Sequence, residues 1–192
     1  GNGGSSMETL LAQNVLDGVI DLTTTEFADL VVGGVFAADA TRLDVIAHQT
    51  RPYIGACGAL DMVNFYGPET IPETFADRTF YHHNPQVTLM RTSEDDCARI
   101  GEIIGEKLNA MNGPVRFFLN EGGLSALDAK GQPFHAPAAN AALFGALEST
   151  VRQTGQRQLI RVPHHINALE FAQQIAATFR SLSGGMVIQR RV

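Results

Sequence analysis

Short apolar runs that end in a polar loop and are followed by a helix-period stripe constrain this chain more than any other feature. Residues 18–24, 52–57, 115–119 and 158–162 are such runs. Stripes follow at Phe27, Leu30 and Val31, at Cys97, Ile100, Ile104, Leu108 and Met111, and at Leu169, Ala172, Ile175, Ala176, Phe179 and Leu182. A further helix is expected over about 137–154. Strands alternating with helices predict an α/β fold, an open parallel sheet with helices on both faces and right-handed crossovers. With 192 residues, 44% of them hydrophobic, the chain can build one sizeable core. Residues 1–183 read as a single α/β domain, and 184–192 as a tail or an edge strand.

Local signals set the expected boundaries. Ser5 and Glu8 have the spacing of a capping box. Gly1, Asn2, Gly3, Gly4 and Ser5 would then form a glycine-rich loop entering a helix, where free amides suit phosphate. A cloning scar explains the same residues equally well. Thr23 or Thr25 can cap the next helix, which Gly33-Gly34 ends, and Asp39 begins another with Leu43, Ile46 and Ala47 inward. Residues 66–92 read as an irregular loop, since prolines remove backbone donors and the stretch mixes aromatic, imidazole and amide groups. Ser93 caps the clearest helix, and Asn167 with Glu170 forms another capping box.

Charge narrows the function classes. The net charge is −6 and no run of Lys or Arg interrupts it, which argues against a nucleic-acid partner. Cys57 and Cys97 are too few for a disulfide framework and lack CxxC spacing, so a reduced, cytoplasmic protein is expected. No long uncharged apolar segment points to a membrane.

The chemistry-bearing residues gather in four strand-end loops: Thr23, Thr24 and Thr25; Gly58 to Asn64, with Asp61; Asn120 to Ser125; and His164 to Asn167. Ligands of open α/β sheets bind at the carboxyl ends of the strands, so these loops can form one cleft. Each has a plainer reading. Asp61 can cap a helix and Asn64 its own turn, Cys57 sits in an apolar strand as an inert thiol, and His83 and His165 can pin loops. A metal-assisted hydrolase or phosphoryl-transfer enzyme using His82, His83, His164, His165, Asp61 and Glu121 is one alternative. A non-catalytic protein-interaction module, forming a homo-oligomer or binding a protein, is the other.

Longer runs carry a resemblance. Gly3-Gly4 with Met7-Glu8, residues 21–26, 58–65 and 83–92, Ser125-Ala126-Leu127-Asp128 and His165-Ile166-Asn167 resemble signatures of the ATP-binding domain family of the tomato mosaic virus resistance protein. The resemblance implies a Rossmann-like domain that is the second half of a two-domain module, with the N-terminal half as its partner. It implies ATP, with or without Mg, as ligand. Gly1 to Ser5 would then be a native phosphate loop, Thr23, Thr24 and Thr25 would support the phosphate, and Gly58, Asp61, Asn64 and Ser125 would line the site. Two departures stand out. Asn120-Glu121-Gly122 puts a carboxylate where a basic residue is expected, and Ala168-Leu169 replaces Asp-Pro after Asn167.

Overall fold

The computed structural model describes residues 2–184. Gly1 lies outside the described residues, as does the tail or edge strand expected after Gly184. In chain order the elements are α1 (Asn2–Ala12), β1 (Val19–Thr23), α2 (Thr25–Val32), α3 (Asp44–Ala47), β2 (Tyr53–Gly58), β3 (Met62–Phe65), β4 (Phe80–Asn84) and β5 (Val87–Arg91). They continue with α4 (Glu94–Ala110), β6 (Val115–Asn120), α5 (Pro137–Thr150), β7 (Arg157–Val162) and α6 (Leu169–Ser183), and 3₁₀ turns occupy Pro68–Thr70 and Glu73–Phe75.

The parallel sheet runs β1-β2-β6-β7. Each step moves the same way across the sheet, so right-handed crossovers place the connecting helices on one face. There Leu11 of α1, Phe27 of α2, Ile100, Ile104 and Leu108 of α4, and Leu143 and Leu147 of α5 pack with Tyr53, Cys57, Phe117 and Leu119. The alternate residues Ile54, Ala56, Phe118 and Val162 face the other way, where Phe171 and Ile175 of α6 cover them. Helices therefore lie on both faces, unequally. Burial of every residue of β2 explains its unbroken apolar run.

Residues 66–92 are more regular than the sequence implies. With β3 they supply an antiparallel sheet, β3-β5-β4, inserted between β2 and α4. Its strands give no period-2 signal for a physical reason. After half-buried Phe80, β4 is exposed on both faces, and after Val87 β5 is buried on both. The hairpin closes through an Asx turn, Gln86 N–H to Asn84 Oδ1 at 2.8 Å.

Several expected caps are replaced. Ser93 and Asp96 do form a reciprocal capping box on α4. The Ser5–Glu8 box does not form: α1 already runs from Asn2, and Glu8 turns instead to Arg42 and the Leu43 N–H. Residues 2–5 are thus helical turn and not loop. Thr24, not Thr23 or Thr25, precedes α2 and makes no side-chain cap. Asp39 starts no helix; its Oδ1 accepts the Thr41 N–H and hydroxyl, and α3 begins only at Asp44. Asp61 caps no helix, since β3 follows it. Ala168, not Asn167, precedes α6, and the Asn167 N–H is taken by His165 Nδ1.

Candidate functional site

The parallel strands end together, and their loops are stitched side by side. Thr24 N–H donates to Gly58 O at 3.1 Å, Ala59 N–H to Leu124 O at 2.9 Å, and Ile166 N–H to Gly123 O at 3.0 Å. The loops after β1, β2, β6 and β7 therefore form one continuous edge. Gly58 makes this approach feasible, because a Cβ there would collide with the Leu22 carbonyl oxygen. The first turn of α1 points to the same edge. Its last turn lies at the opposite one, where Arg51, just before β2, donates to Leu11 O.

Beneath that first turn is a buried ion cluster. The Arg42 guanidinium contacts Glu8, Asp21 and Glu26, and all four side chains are buried. Tyr53 Oη donates weakly to Asp21 at 3.4 Å. Burial raises the Asp21 carboxyl above its ordinary range, against the pull of Arg42. Gly4 packs so closely on Arg42 that a side chain there would displace it.

A second cluster joins β2, β5, β6 and α5. Asp61 is fully buried, and its Oδ2 accepts from Ser125 Oγ at 2.6 Å. Burial pushes its carboxyl up to about 6. Asp128 accepts from Leu124 N–H at 3.0 Å and Asn140 Nδ2 at 2.6 Å, and Arg91 donates to Phe134 O, Thr92 Oγ1 and Asn140 Oδ1. Ser125 also lines a cavity of about 300 Å³ with Tyr81, His83 and Leu89. The Ser125 hydroxyl thus stands between the buried Asp61 carboxyl and the cavity.

The expected site residues thus fall into separate groups. Gly3, Gly4 and Ser5 lie in the first turns of α1, with Asn2 as its first residue. Thr23 is exposed, and Thr24 is buried against Gly58. Thr25 Oγ1 accepts from Asn64 Nδ2 at 3.3 Å, and Asn64 also donates through N–H and Nδ2 to Asp29. His165 is a loop pin: its Nδ1 accepts from Asn167 N–H, so Nε2 carries the proton and donates to Ser125 O at 2.8 Å. Buried Cys57 has its thiol pushed well up by desolvation and stays a core residue.

Sequence reasoning passed over Asp29, Arg42, Arg91 and Asp128 as organisers of the site. The available signal was a charge in an apolar setting, Asp29 among Phe27, Ala28 and Leu30, and Arg91 after Leu89 and Met90. Among the described residues, Thr24 Oγ1, Asp61 Oδ1, Asn120 Oδ1 and Asp128 Oδ1 are buried near this edge with no hydrogen-bond partner. The edge is rich in acceptors. No three of its His, Cys, Asp and Glu side chains group as metal ligands among the described residues, and none of the helices there is long and apolar enough to cross a membrane.

Residues 1–183 match the Uncharacterised protein family (UPF0261) C-terminal domain. The chain belongs to this family. A UPF0261 protein of Rhizobium meliloti (strain 1021) is 51% identical over 183 residues, covering 95% of this chain and 46% of that protein. The ToMV resistance protein Tm-1(GCR237) of Solanum lycopersicum is 42% identical over 183 residues, 95% of this chain and 24% of its own length. A UPF0261 protein of Brucella melitensis biotype 1 is 31% identical over 193 residues, covering 100% of this chain and 46% of its own length. The chain spans about half the length of these bacterial relatives. In this UPF0261 domain the stretches that carried the family resemblance now have places. Residues 21–26 end β1 and start α2, residues 58–65 run from the end of β2 through β3, and residues 83–92 run from the end of β4 through the turn and β5.

Proposed function

We propose that the chain is a nucleotide-binding module, one half of a two-part cleft whose ligand is ATP, with or without Mg. One observation carries the reading: four strand-end loops, hydrogen-bonded to one another, share an edge with the first turn of α1. In open α/β sheets this edge is where ligands sit.

The donor set supports a divided role for the two ends of the edge. First-turn amides of Gly3, Gly4 and Ser5 suit phosphate. The guanidinium groups of Arg42 and Arg161 are each held by carboxylates, so they add little free positive charge. A divalent cation carried with the nucleotide would offset the carboxylates there. The orphaned acceptors of Thr24, Asp61, Asn120 and Asp128 are buried out of a ligand's reach, so contact with ribose hydroxyls falls to exposed side chains of the edge. Thr23 is exposed for such contact, whereas Asp61 and Asn64 serve by shaping the loops. ATP would bring a transferable phosphoryl group, and this reading assigns no transfer to the chain.

Calorimetry with ATP, on the 192-residue chain and on its complete gene product, tests the proposal. Binding to both, tighter in the complete product, is expected. Equal affinity removes the two-part cleft, and heat from neither removes the nucleotide.

A further inference from the structure

The antiparallel sheet β3-β5-β4 has two outer flanks, and only one of them is sealed. From β5 the Arg91 N–H donates to Thr79 O, just before β4, and the Thr92 N–H to Asp61 O, just before β3. Backbone groups of successive residues point to opposite sides of a strand. With the register Val63↔Met90 and Tyr81↔Leu89, those of Met62 and Asn64 on β3, and of Phe80 and His82 on β4, therefore point out of the sheet. On β3 they are satisfied: Asn64 N–H donates to Asp29 Oδ1 at 2.7 Å, Val35 N–H to Asn64 O at 2.8 Å, and Thr25 Oγ1 to Met62 O at 3.4 Å. On β4 the backbone groups of Phe80 and His82 meet no partner among the described residues.

An open strand flank is normally guarded by a charge, a proline or a cover. Phe80-Tyr81-His82-His83-Asn84 contains no Asp, Glu, Lys, Arg or Pro, in a chain of net charge −6. Its register shift lies between His82 and Asn84, at the turn, and leaves Phe80 to His82 regular. A hollow of about 300 Å³ opens on each face of the strand. Ile71, Pro72, Phe80 and His82 wall one, and Leu89, Leu127, Tyr81 and His83 the other. An added strand would thus find backbone partners along the flank and an apolar recess for alternate side chains on either face.

We propose that β4 is a homodimer interface, at which two copies join antiparallel, β4 to β4, into one continuous sheet. A two-fold pairing is isologous, so outward donors of one copy meet outward acceptors of the same strand in the other. The register that uses both residues sets Phe80 opposite His82 of the second copy and brings Tyr81 beside its own copy at the axis. No carboxylates or cations are opposed there, although acidic chains repel each other elsewhere. Whatever precedes α1 has the open side of β1 to pair with, in the parallel sheet, and leaves β4 to the copy. A pair of five-residue strands is small beside a standard interface of roughly 1,600 Å². The two hollows must therefore take side chains of the copy, and association is expected in the micromolar range. The pairing needs no nucleotide.

Sedimentation velocity of the complete gene product, from low to high micromolar, tests this together with hydrogen exchange at β4. Wild type should pass from monomer to dimer. Exchange at the Phe80 and His82 amides should slow as concentration rises, while that of Tyr81, which faces Leu89, stays unchanged. His82→Pro removes one outward donor from each copy and leaves the ladder to β5 intact, so the dissociation constant should rise about tenfold or more. His82→Lys places a charge at a position already exposed and should act the same way. Circular dichroism checks that both variants keep the fold. A wild type that stays monomeric overturns the pairing, as does a dimer that both variants retain. Fast Phe80 and His82 amides in a dimer put the interface elsewhere, and slow ones in a monomer give the flank to the rest of the gene product; either result also overturns it.

Discussion

A carboxyl group with no exposure and a single short hydrogen bond makes stability depend on pH. Asp61 has an ordinary value of 3.8 and is raised to about 6 by burial, with Ser125 and Arg91 opposing the rise. The folded state therefore binds more protons than the unfolded chain between these two values. Stability must fall as pH rises through that window, and the loss is complete above it. Asp61→Asn removes the charge while its carbonyl still accepts from Ser125. The variant should be more stable than wild type by roughly 1–3 kcal/mol at pH 8 and gain nothing near pH 4. Urea unfolding at the two pH values measures this; a variant destabilised equally at both would show that Asp61 is held as the carboxylate. Sequence reading singled out Asp61 and Asn64 for their polarity among apolar neighbours, and the structure places both at organising points. Their partners were not legible. Asp29 is 35 residues from Asn64 and Ser125 is 64 from Asp61, distances over which no local period operates.

At the scale of elements, α4 and α5 show why glycine can matter more than propensity. Gly101 and Gly105 stand one turn apart on α4. A Cβ at Gly101 would lie 2.7 Å from Leu143 O and 2.8 Å from Ala146 Cβ, so the helices approach almost backbone to backbone. Gly101→Ala should cost about 1–3 kcal/mol through overpacking, even though alanine is the better helix former. Gly145 of α5 is the internal control: it is exposed, and nothing lies within 4 Å of its Cβ position. Gly145→Ala should stabilise by up to about 1 kcal/mol. Paired denaturant midpoints test the contrast, and two stabilised variants would mean that the helices can part freely. The long helices were legible because one buried face imposes a period, and the central strands because burial on both faces leaves an unbroken apolar run. Capping spacings were less reliable. At Ser5–Glu8 a buried guanidinium competed for the carboxylate and won, and at Asn167 the ring of His165 took the backbone donor.

For the whole molecule, β1 is the telling strand. Among the described residues it pairs with β2 alone, and it leaves Ile20 43% exposed. α1 lies on the same face as α2, α4 and α5. A right-handed unit entering β1 through α1 would have its preceding strand on the outer side of β1. The bacterial relatives are about twice as long as this chain, and a product of that length is expected to cover this edge. Ile20→Lys distinguishes the two situations. In the 192-residue chain the side chain is half in water, and the change should stay within about 0.5 kcal/mol. Where the edge is covered, the same change buries a charge and removes apolar area, which should cost about 1.5–3 kcal/mol. Hydrogen exchange should also slow across Val19–Thr23 in the complete product relative to the chain alone. Equal effects of Ile20→Lys in the two proteins, with equal exchange, would mean that β1 is a true outer edge and that the second half docks elsewhere.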